Sequence, residues 1–523
     1  MWYSILVALT FIQTLVTNWM MGLPVWEASP FTIRIWCNYL AAALVIWSPM
    51  LFTRKRRWTY VVAILLNIWC IGNLMYFRSY GDVLSRWCLI NAGNMHGIWG
   101  SVLPFLRLED LFFPCVTIFW IILSETIQRD VVLPLWKRIL IAFAALLLCC
   151  LPQTAVHKKA ELPLTPFDSY YADVSMGRVW YFHTFGAITH FTNETINLVT
   201  HRDGDVAPVE EAELMPFVQT PENLPEEGNL LIVLFESLEN WVIGLRVDGR
   251  EVTPHINRLV AHPMTGHYPM TAQVKEGKSS DAQLILFNGL LPIQNGAASM
   301  RYASNTYPSF VTCSQANTKR LYAAYPSYMW NQQMNASSYG FDAVYADDIP
   351  DGRMADSVLS SLRKHPRPFI YTAITMASHL PFTIYADSAR WPIRQSQYDD
   401  IHIRYLQCVH YTDSVIGGII ETILSDSVLA TTTRIVITGD HPIFDLSAPV
   451  PFIIYDPYLS PVAVRRPIYQ IDIYTTLVER IHVATSWHGL GRNIADSTAY
   501  TPEQISALER LSDRIIRTNY FAK

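Results

Sequence analysis

The sequence predicts two parts: an N-terminal transmembrane domain of about five helices, and a C-terminal α/β domain built on a central, mostly parallel sheet. Three observations predict this. Apolar residues make up 51% of the 523 residues and charged residues only 16%, against roughly 25% charged in an ordinary soluble domain. Mean hydropathy is positive at +0.17. From Asn229 onward the texture changes to apolar, β-branched runs alternating with helical patterns, the mark of an α/β domain.

The first domain takes residues 1–152. Its apolar segments are 2–21, 31–52, 58–77, 108–126 and 137–152, each near the ~20 residues that cross a bilayer, the last somewhat short. Trp2, Trp26, Trp58, Trp87 and Trp136 flank them, as aromatic side chains do at lipid–water boundaries. Basic residues give the orientation. Arg54-Lys-Arg-Arg57 and the Arg129, Lys137, Arg138 group occupy alternate loops. With both loops cytoplasmic, the N-terminus is inside and everything after about residue 153 is outside. A cleaved signal peptide at Met1–Gly22 is disfavoured, because it lacks a basic leader and a small-residue cleavage site. A buried helical core is disfavoured by segment length and scarcity of charge. Arg107, Glu109 and Asp110 read as a solvated cluster at the outer edge of segment four.

Residues 153–228 form a junction. Trp180-Tyr-Phe-His-Thr-Phe-Gly-Ala-Ile-Thr-His190 reads as an amphipathic helix near the membrane surface. Asp203 to Glu227, rich in Pro, Glu and Gly, reads as a linker. The α/β domain takes 229–523. Six of the 8 cysteines lie in the first domain, where small buried or lipid-facing side chains explain them. Cys313 and Cys408 permit one disulfide but not a disulfide framework. A net charge of −5 offers no basic surface for nucleic acid. No phosphate-binding loop, dinucleotide fingerprint, zinc-finger spacing or internal repeat is present.

Four short stretches carry chemistry. Leu230-Leu-Ile-Val-Leu-Phe235 stops at Glu236, and Arg434-Ile-Val-Ile-Thr-Gly439 stops at Asp440-His441. Buried parallel strands deliver ligands to the carboxyl edge of an open sheet in this way. Gly439 allows a sharp turn before the pair. A carboxylate at a strand exit is otherwise a solvated end or a helix cap, so each signal gains weight only from the other. Carboxylate and imidazole together suit Mn²⁺, Zn²⁺ or Mg²⁺. The third stretch, Gly277-Lys-Ser-Ser-Asp281, precedes a helix-like run from Ala282 to Leu291. Ser279 and Ser280 are hydroxyl candidates, Lys278 can hold a phosphate oxygen by charge, and the helix adds backbone N–H groups. The plain alternative is a capping turn with either serine as N-cap. The fourth stretch ends in Ser378-His379, just past a strand. His379 could donate to a phosphate oxygen or protonate a leaving group. His410 reads instead as a packed helix residue.

At these stretches the chain resembles the lipoteichoic acid synthase-like phosphoglycerol transferases of the alkaline phosphatase and sulfatase superfamily. The resemblance runs through Gly277–Gln283, Asn288–Pro292, Asn305–Ser309, Trp330-Asn331, Gly340–Asp342, Ser378–Phe382, Tyr411–Asp413 and Val450–Phe452, and covers most of the chain. It implies an α/β domain of alkaline phosphatase type lying outside the cell membrane. It implies one divalent ion, usually manganese, held by Glu236, Ser279, Asp440 and His441. It implies that Ser279 takes phosphoglycerol covalently from a membrane phospholipid and passes it to an alcohol acceptor such as a glycolipid, a glycan or a polyol phosphate. His379 and Trp330 would contact the substrate.

The sequence departs from the family twice. Serine replaces the family's threonine nucleophile at Ser279, which keeps the alcohol. Gln332 stands where the family has an arginine, so a phosphate would meet a hydrogen-bonding amide without charge. Three rivals follow. A phosphoethanolamine transferase would ordinarily carry several disulfides in its outer domain. A sulfatase proper would need a Cys- or Ser-x-Pro-x-Arg motif, which the Ser279 and Ser280 frames lack. A non-catalytic scaffold would not be expected to keep all four ligand positions.

Overall fold

The computed structural model describes residues 2–26, 30–52, 56–80, 83–85, 105–126, 134–159, 178–200, 206–220, 228–294, 296–380, 382, 385, 391–394 and 397–522. Trp87, Cys88, Arg54 and Arg129, read above, lie outside them. The chain divides into two compact units, Met1–Gly204 and Asp205–Lys523.

The first unit is helical: α1 (Trp2–Met20), α2 (Pro30–Trp47), α3 (Arg56–Tyr80), α4 (Phe112–Thr126), α5 (Leu135–Lys159) and α6 (Arg178–Thr200). Among the described residues three stretches, Trp2–Met20, Thr32–Leu51 and Arg57–Arg78, are long and apolar enough to cross a membrane. Helix α4 is 15 residues long, and α5 ends in the polar sequence His-Lys-Lys. Side chains such as Ile64, Leu65, Ile68, Ile118, Phe119, Leu140 and Phe143 are exposed, an outward apolar surface suited to lipid. Inside, polar side chains pair with one another. Gln13 Nε2 donates to Asn67 Oδ1 at 2.8 Å, and Asn67 Nδ2 donates to Thr117 Oγ1 at 2.8 Å, joining α1, α3 and α4.

Two readings need correction here. Asp110 is buried rather than solvated, and it pairs with the buried Arg78 at 2.7 Å. Residues 181–190 of α6 are buried on every face rather than amphipathic. Backbone groups at the break find partners within the bundle: Asn38 Nδ2 and Tyr39 Oη donate to the carbonyls of Thr184 and His183. Helix α6 breaks at Gly186 (φ 84°), where a Cβ would come within 2.7 Å of the Tyr39 ring.

The second unit is an eight-stranded sheet. Its strands are β1 (Asn229–Phe235), β2 (Thr265–Thr271), β3 (Thr318–Ala323), β4 (Ala343–Ala346), β5 (Phe369–Ile374), β6 (Thr433–Gly439), β7 (Val450–Tyr455) and β8 (Ile468–Tyr469). The spatial order is β8-β2-β7-β6-β1-β5-β3-β4. Strands β6, β1, β5, β3 and β4 run parallel, while β7 runs antiparallel to both its neighbours. Strands β1, β5, β6 and β7 are buried throughout. That accounts for their unbroken apolar sequences, since helices cover both faces of such a sheet.

Residues 206–220 are not all linker. Arg514 grips Glu213 through two hydrogen bonds of 2.7 and 2.8 Å and reaches the carbonyls of Ala207 and Pro208. Val218 bridges Trp487. Among the described residues the cysteines are unpaired; Cys313 is exposed and Cys408 buried, so the permitted disulfide is absent.

Candidate metal centre and nucleophile

Strand register sets the ligand positions. Strands β1 and β6 are in step, with Phe235 opposite Gly439, so the next residues, Glu236 and Asp440, leave the sheet side by side. Gly439 is required by close approach: a Cβ there would lie 2.2 Å from the Leu238 carbonyl. Its φ is not positive, so the chain bends at Asp440 without a left-handed glycine. Glu236, Asp440 and His441 each place a ligand atom within 4.8 Å of the others, and all three are buried. His441 Nε2 lies 3.8 Å from Glu236 Oε1 and 3.6 Å from Asp440 Oδ2.

Three features fit a divalent cation. Asp440 Oδ1 accepts the backbone N–H groups of Ser237 and His441, whereas Oδ2 is buried with no hydrogen-bond partner among the described residues. Such an orphan is costly unless a cation takes it. His441 Nδ1 lies 3.1 Å from the Pro442 carbonyl. A carbonyl only accepts, so Nδ1 carries the proton and Nε2 presents its lone pair to the two carboxylates. Burial and the Asp440 charge push Glu236 up to about 8, against the pull of His441 and the Ser237 hydroxyl. A cation between the carboxylates would relieve that repulsion.

The nucleophile candidate sits at a helix start. Helix α7 (Ser279–Asn288) begins at Ser279 after Lys278, whose backbone adopts φ 45°, ψ −118°. Positive φ is uncommon for a residue with a side chain. Neither serine caps the helix. Ser279 Oγ donates to Glu236 Oε2 at 3.2 Å, and Ser280 Oγ donates to the Gly277 carbonyl at 2.7 Å. The plain capping alternative is therefore excluded, and Ser279 points at the ligand cluster. Asp281, in the first turn, accepts the N–H groups of Lys275 and Gly277 and so shapes the preceding loop.

His379 follows β5. Its Nδ1 lies 2.7 Å from the Leu380 carbonyl, so it donates there and leaves Nε2 free. Burial pulls its pKa down, while Asp440 is near enough to act in the opposite sense. Trp330 and Asn331 both have positive φ, 53° and 51°. Asn331 Nδ2 and Asn335 Nδ2 bond the Ser299 carbonyl, and Ser299 Oγ bonds Ser280 Oγ at 2.8 Å. The Trp330 turn is thereby tied to the start of α7. Gln332 departs from its expected substrate-facing role. It is 1% exposed, its Oε1 accepts from Tyr325 and Gln283, and its Nε2 donates back to Gln283. His410 packs as read, bonding the Val252 carbonyl.

Sequence reasoning missed the supports. Thr375 Oγ1 accepts the Glu236 N–H, and Ser378 Oγ donates to the Glu236 carbonyl. Glu239 Oε1 accepts the N–H groups of Ile443 and Phe444, just beyond His441. Asp351 accepts those of Met376 and Ala377, just before His379. Ser378 lay in a quoted motif; Glu239 and Asp351 carried no local signal.

The fold and site define a class: a helical N-terminal domain followed by a sulfatase-type α/β domain. Comparison identifies similar proteins. The lipoteichoic acid synthase N-terminal domain matches residues 1–197, and the sulfatase domain matches residues 228–483. The chain thus carries two matched domains, a lipoteichoic acid synthase N-terminal domain and a sulfatase domain, and is similar to the lipoteichoic acid synthases. Lipoteichoic acid synthase 2 of Bacillus subtilis (strain 168) is 26% identical over 438 residues, 78% of this chain and 66% of that protein. Lipoteichoic acid synthase of Staphylococcus saprophyticus is 24% identical over 433 residues, 77% of this chain and 66% of that protein. The chain thus spans just under two thirds of the length of these curated relatives. The integral membrane protein lipooligosaccharide phosphoethanolamine transferase A from Neisseria meningitidis superposes with a TM-score of 0.57 at 11% identity. The match covers 93% of this chain and 96% of that one, which shows a shared fold.

Proposed function

We propose that this chain transfers a phospholipid headgroup, phosphoglycerol, through a covalent adduct on Ser279 to an alcohol acceptor at the outer face of the cell membrane. The observation that carries the reading is the Ser279 hydroxyl directed at Glu236, beside the buried Asp440 oxygen that lacks a partner. Support from kinship is the lipoteichoic acid synthase relatives. The three apolar helices support a multi-pass anchor, and the basic loops of the first domain support an outward α/β domain.

Glu236, Asp440, His441 and Ser279 are the residues that would hold the ion, with manganese expected and magnesium or zinc compatible with the same donors. Bound there, the ion would supply Lewis acidity and lower the pKa of the serine. Ser279 Oγ forms the new bond to phosphorus, and the bond from phosphorus to the diacylglycerol oxygen breaks. The proton lost by the serine is matched by the one gained by diacylglycerol. We assign to His379 the delivery of that proton; its Nε2, which holds a lone pair while Nδ1 donates to Leu380, must first take up a proton and then gives it to the departing oxygen. An acceptor alcohol then attacks the same phosphorus, and Ser279 regains its proton. The N–H groups at the start of α7 would face the anionic phosphoryl group, and Lys278 and Trp330 are the residues we assign to its further contacts. The acceptor is a glycolipid, a glycan or a growing polyol phosphate.

Ser279→Ala and Asp440→Asn test this. Each should abolish diacylglycerol release from phosphatidylglycerol while the melting temperature stays within a few degrees of the parent. Full turnover by either variant would overturn the mechanism.

A further inference from the structure

We propose that Gln283, Gln332 and Tyr325 are positioning residues. On this reading they lock the helix that carries Ser279 to the turn that carries Trp330, so that the nucleophile and the substrate-contacting ring move as one unit. The inference rests on the reading of Ser279 as nucleophile and assigns roles to residues outside the ligand set.

The geometry is closed. Gln283 Nε2 donates to Gln332 Oε1 at 3.1 Å, and Gln332 Nε2 donates to Gln283 Oε1 at 3.0 Å. Tyr325 Oη donates to Gln332 Oε1 at 2.5 Å and accepts from Gln283 Nε2 at 3.0 Å. The three side chains are 2%, 1% and 4% exposed. Each comes from a different element. Gln283 lies one turn after Ser279 on α7, so both face the same side of that helix. Tyr325 lies just past the end of β3. Gln332 opens the helix α8 (Gln332–Ser338) directly after Trp330 and Asn331.

The network stands beside the charged site. Burial raises the Tyr325 phenol, and the charges of Glu236 and Asp440 raise it further, so it stays protonated and keeps donating. Buried polar groups cost stability unless all are paired, and a fully paired set gives up adaptability for one geometry. An apolar trio would fill the same space without specifying how α7 sits against the Trp330 turn. A second path runs in parallel, from Ser280 through Ser299 to Asn331 and Asn335. Asn335 Nδ2 also bonds the Trp330 and Asn331 carbonyls, which holds the two left-handed residues in place.

The test uses the full-length protein with Mn²⁺ and phosphatidylglycerol vesicles, and the variants Gln283→Ala, Gln332→Ala, their double, and the gentler Tyr325→Phe. Single-turnover formation of the Ser279 adduct should slow about tenfold or more in each single variant, with apparent KM within about twofold of the parent. The double variant should be no slower than the worse single one, the signature of one shared unit. Multiplicative losses would overturn the proposal. So would a raised KM in Gln332→Ala with Gln283→Ala unaffected, which would make Gln332 a substrate ligand. A lowered melting temperature with an unchanged rate per folded site would reduce the network to packing. If the parent itself forms no adduct, the nucleophile assignment fails alone, and hydrogen exchange decides the network. Tyr325→Phe and Gln283→Ala should each speed exchange in both 277–288 and 328–338. A change confined to the altered element would refute the lock.

Discussion

At the residue scale, the account turns on atoms whose partners are fixed. Asp440 Oδ1 is spent on two backbone N–H groups, so only Oδ2 is left for a cation. Glu239 anchors the segment beyond His441 through two N–H bonds. Glu239→Ala should therefore weaken Mn²⁺ binding by about 10–100-fold without touching a ligand, measured by titration calorimetry. Asp281 gives a pH prediction. Burial raises its carboxyl to about 7, against two backbone N–H bonds and Lys275. The folded state thus holds a proton that the unfolded state has lost, and this group's contribution to stability falls as pH rises from about 4 to 7. Asp281→Asn should flatten that fall in urea titrations across the window; an unchanged slope would contradict it. The convergence of Glu236, Asp440 and His441 was legible because chemistry-bearing side chains stood at the ends of apolar strands. Gln332 was not, because its burial depends on Gln283 and Tyr325, 49 and 7 residues away, and no local pattern records such a pairing.

At the scale of elements, the parallel strands were legible from their unbroken apolar runs, and the register explains why Glu236 and Asp440 emerge together. Helix α6 was misread for a definite reason. His183, Thr184 and His190 look like a polar face in one dimension, but residues 181–190 of α6 are enclosed, and His183 and His190 hydrogen-bond the carbonyls of Pro24 and Leu84. Enclosure is a property of the bundle, not of the segment. The loop before β8 carries a further prediction. Arg466 is fully buried in its side chain, pairs with Asp472 at 2.7 Å, and bonds the carbonyls of Asp496, Arg492 and Asn493. Gln470, just after β8, donates to the Asp440 carbonyl. Arg466→Ala should cost about 3–5 kcal/mol, because it strands a buried Asp472 carboxylate. Chemical denaturation measures it, and a loss below about 1 kcal/mol would contradict the assignment.

At the scale of the whole molecule, the division at residues 204 and 205 separates a helical unit with a lipid-suited surface from an α/β unit with its own core. The two textures were legible in composition. The folded strap at 207–219 was not, since its anchor is Arg514, some 300 residues later. Because the second unit holds every candidate ligand, a fragment covering 205–523 should melt cooperatively and, on the proposed reading, bind one Mn²⁺ per chain. Loss of the membrane anchor should slow lipid turnover through lower effective concentration rather than through a damaged site. The most direct test of the central claim is the intact mass of the full-length protein after incubation with Mn²⁺ and, separately, phosphatidylglycerol or phosphatidylethanolamine. The account predicts a phosphoglycerol adduct that maps to Ser279 and appears only with phosphatidylglycerol. A phosphoethanolamine adduct would contradict the donor assignment, and no adduct or diacylglycerol from either lipid would contradict the covalent transfer itself.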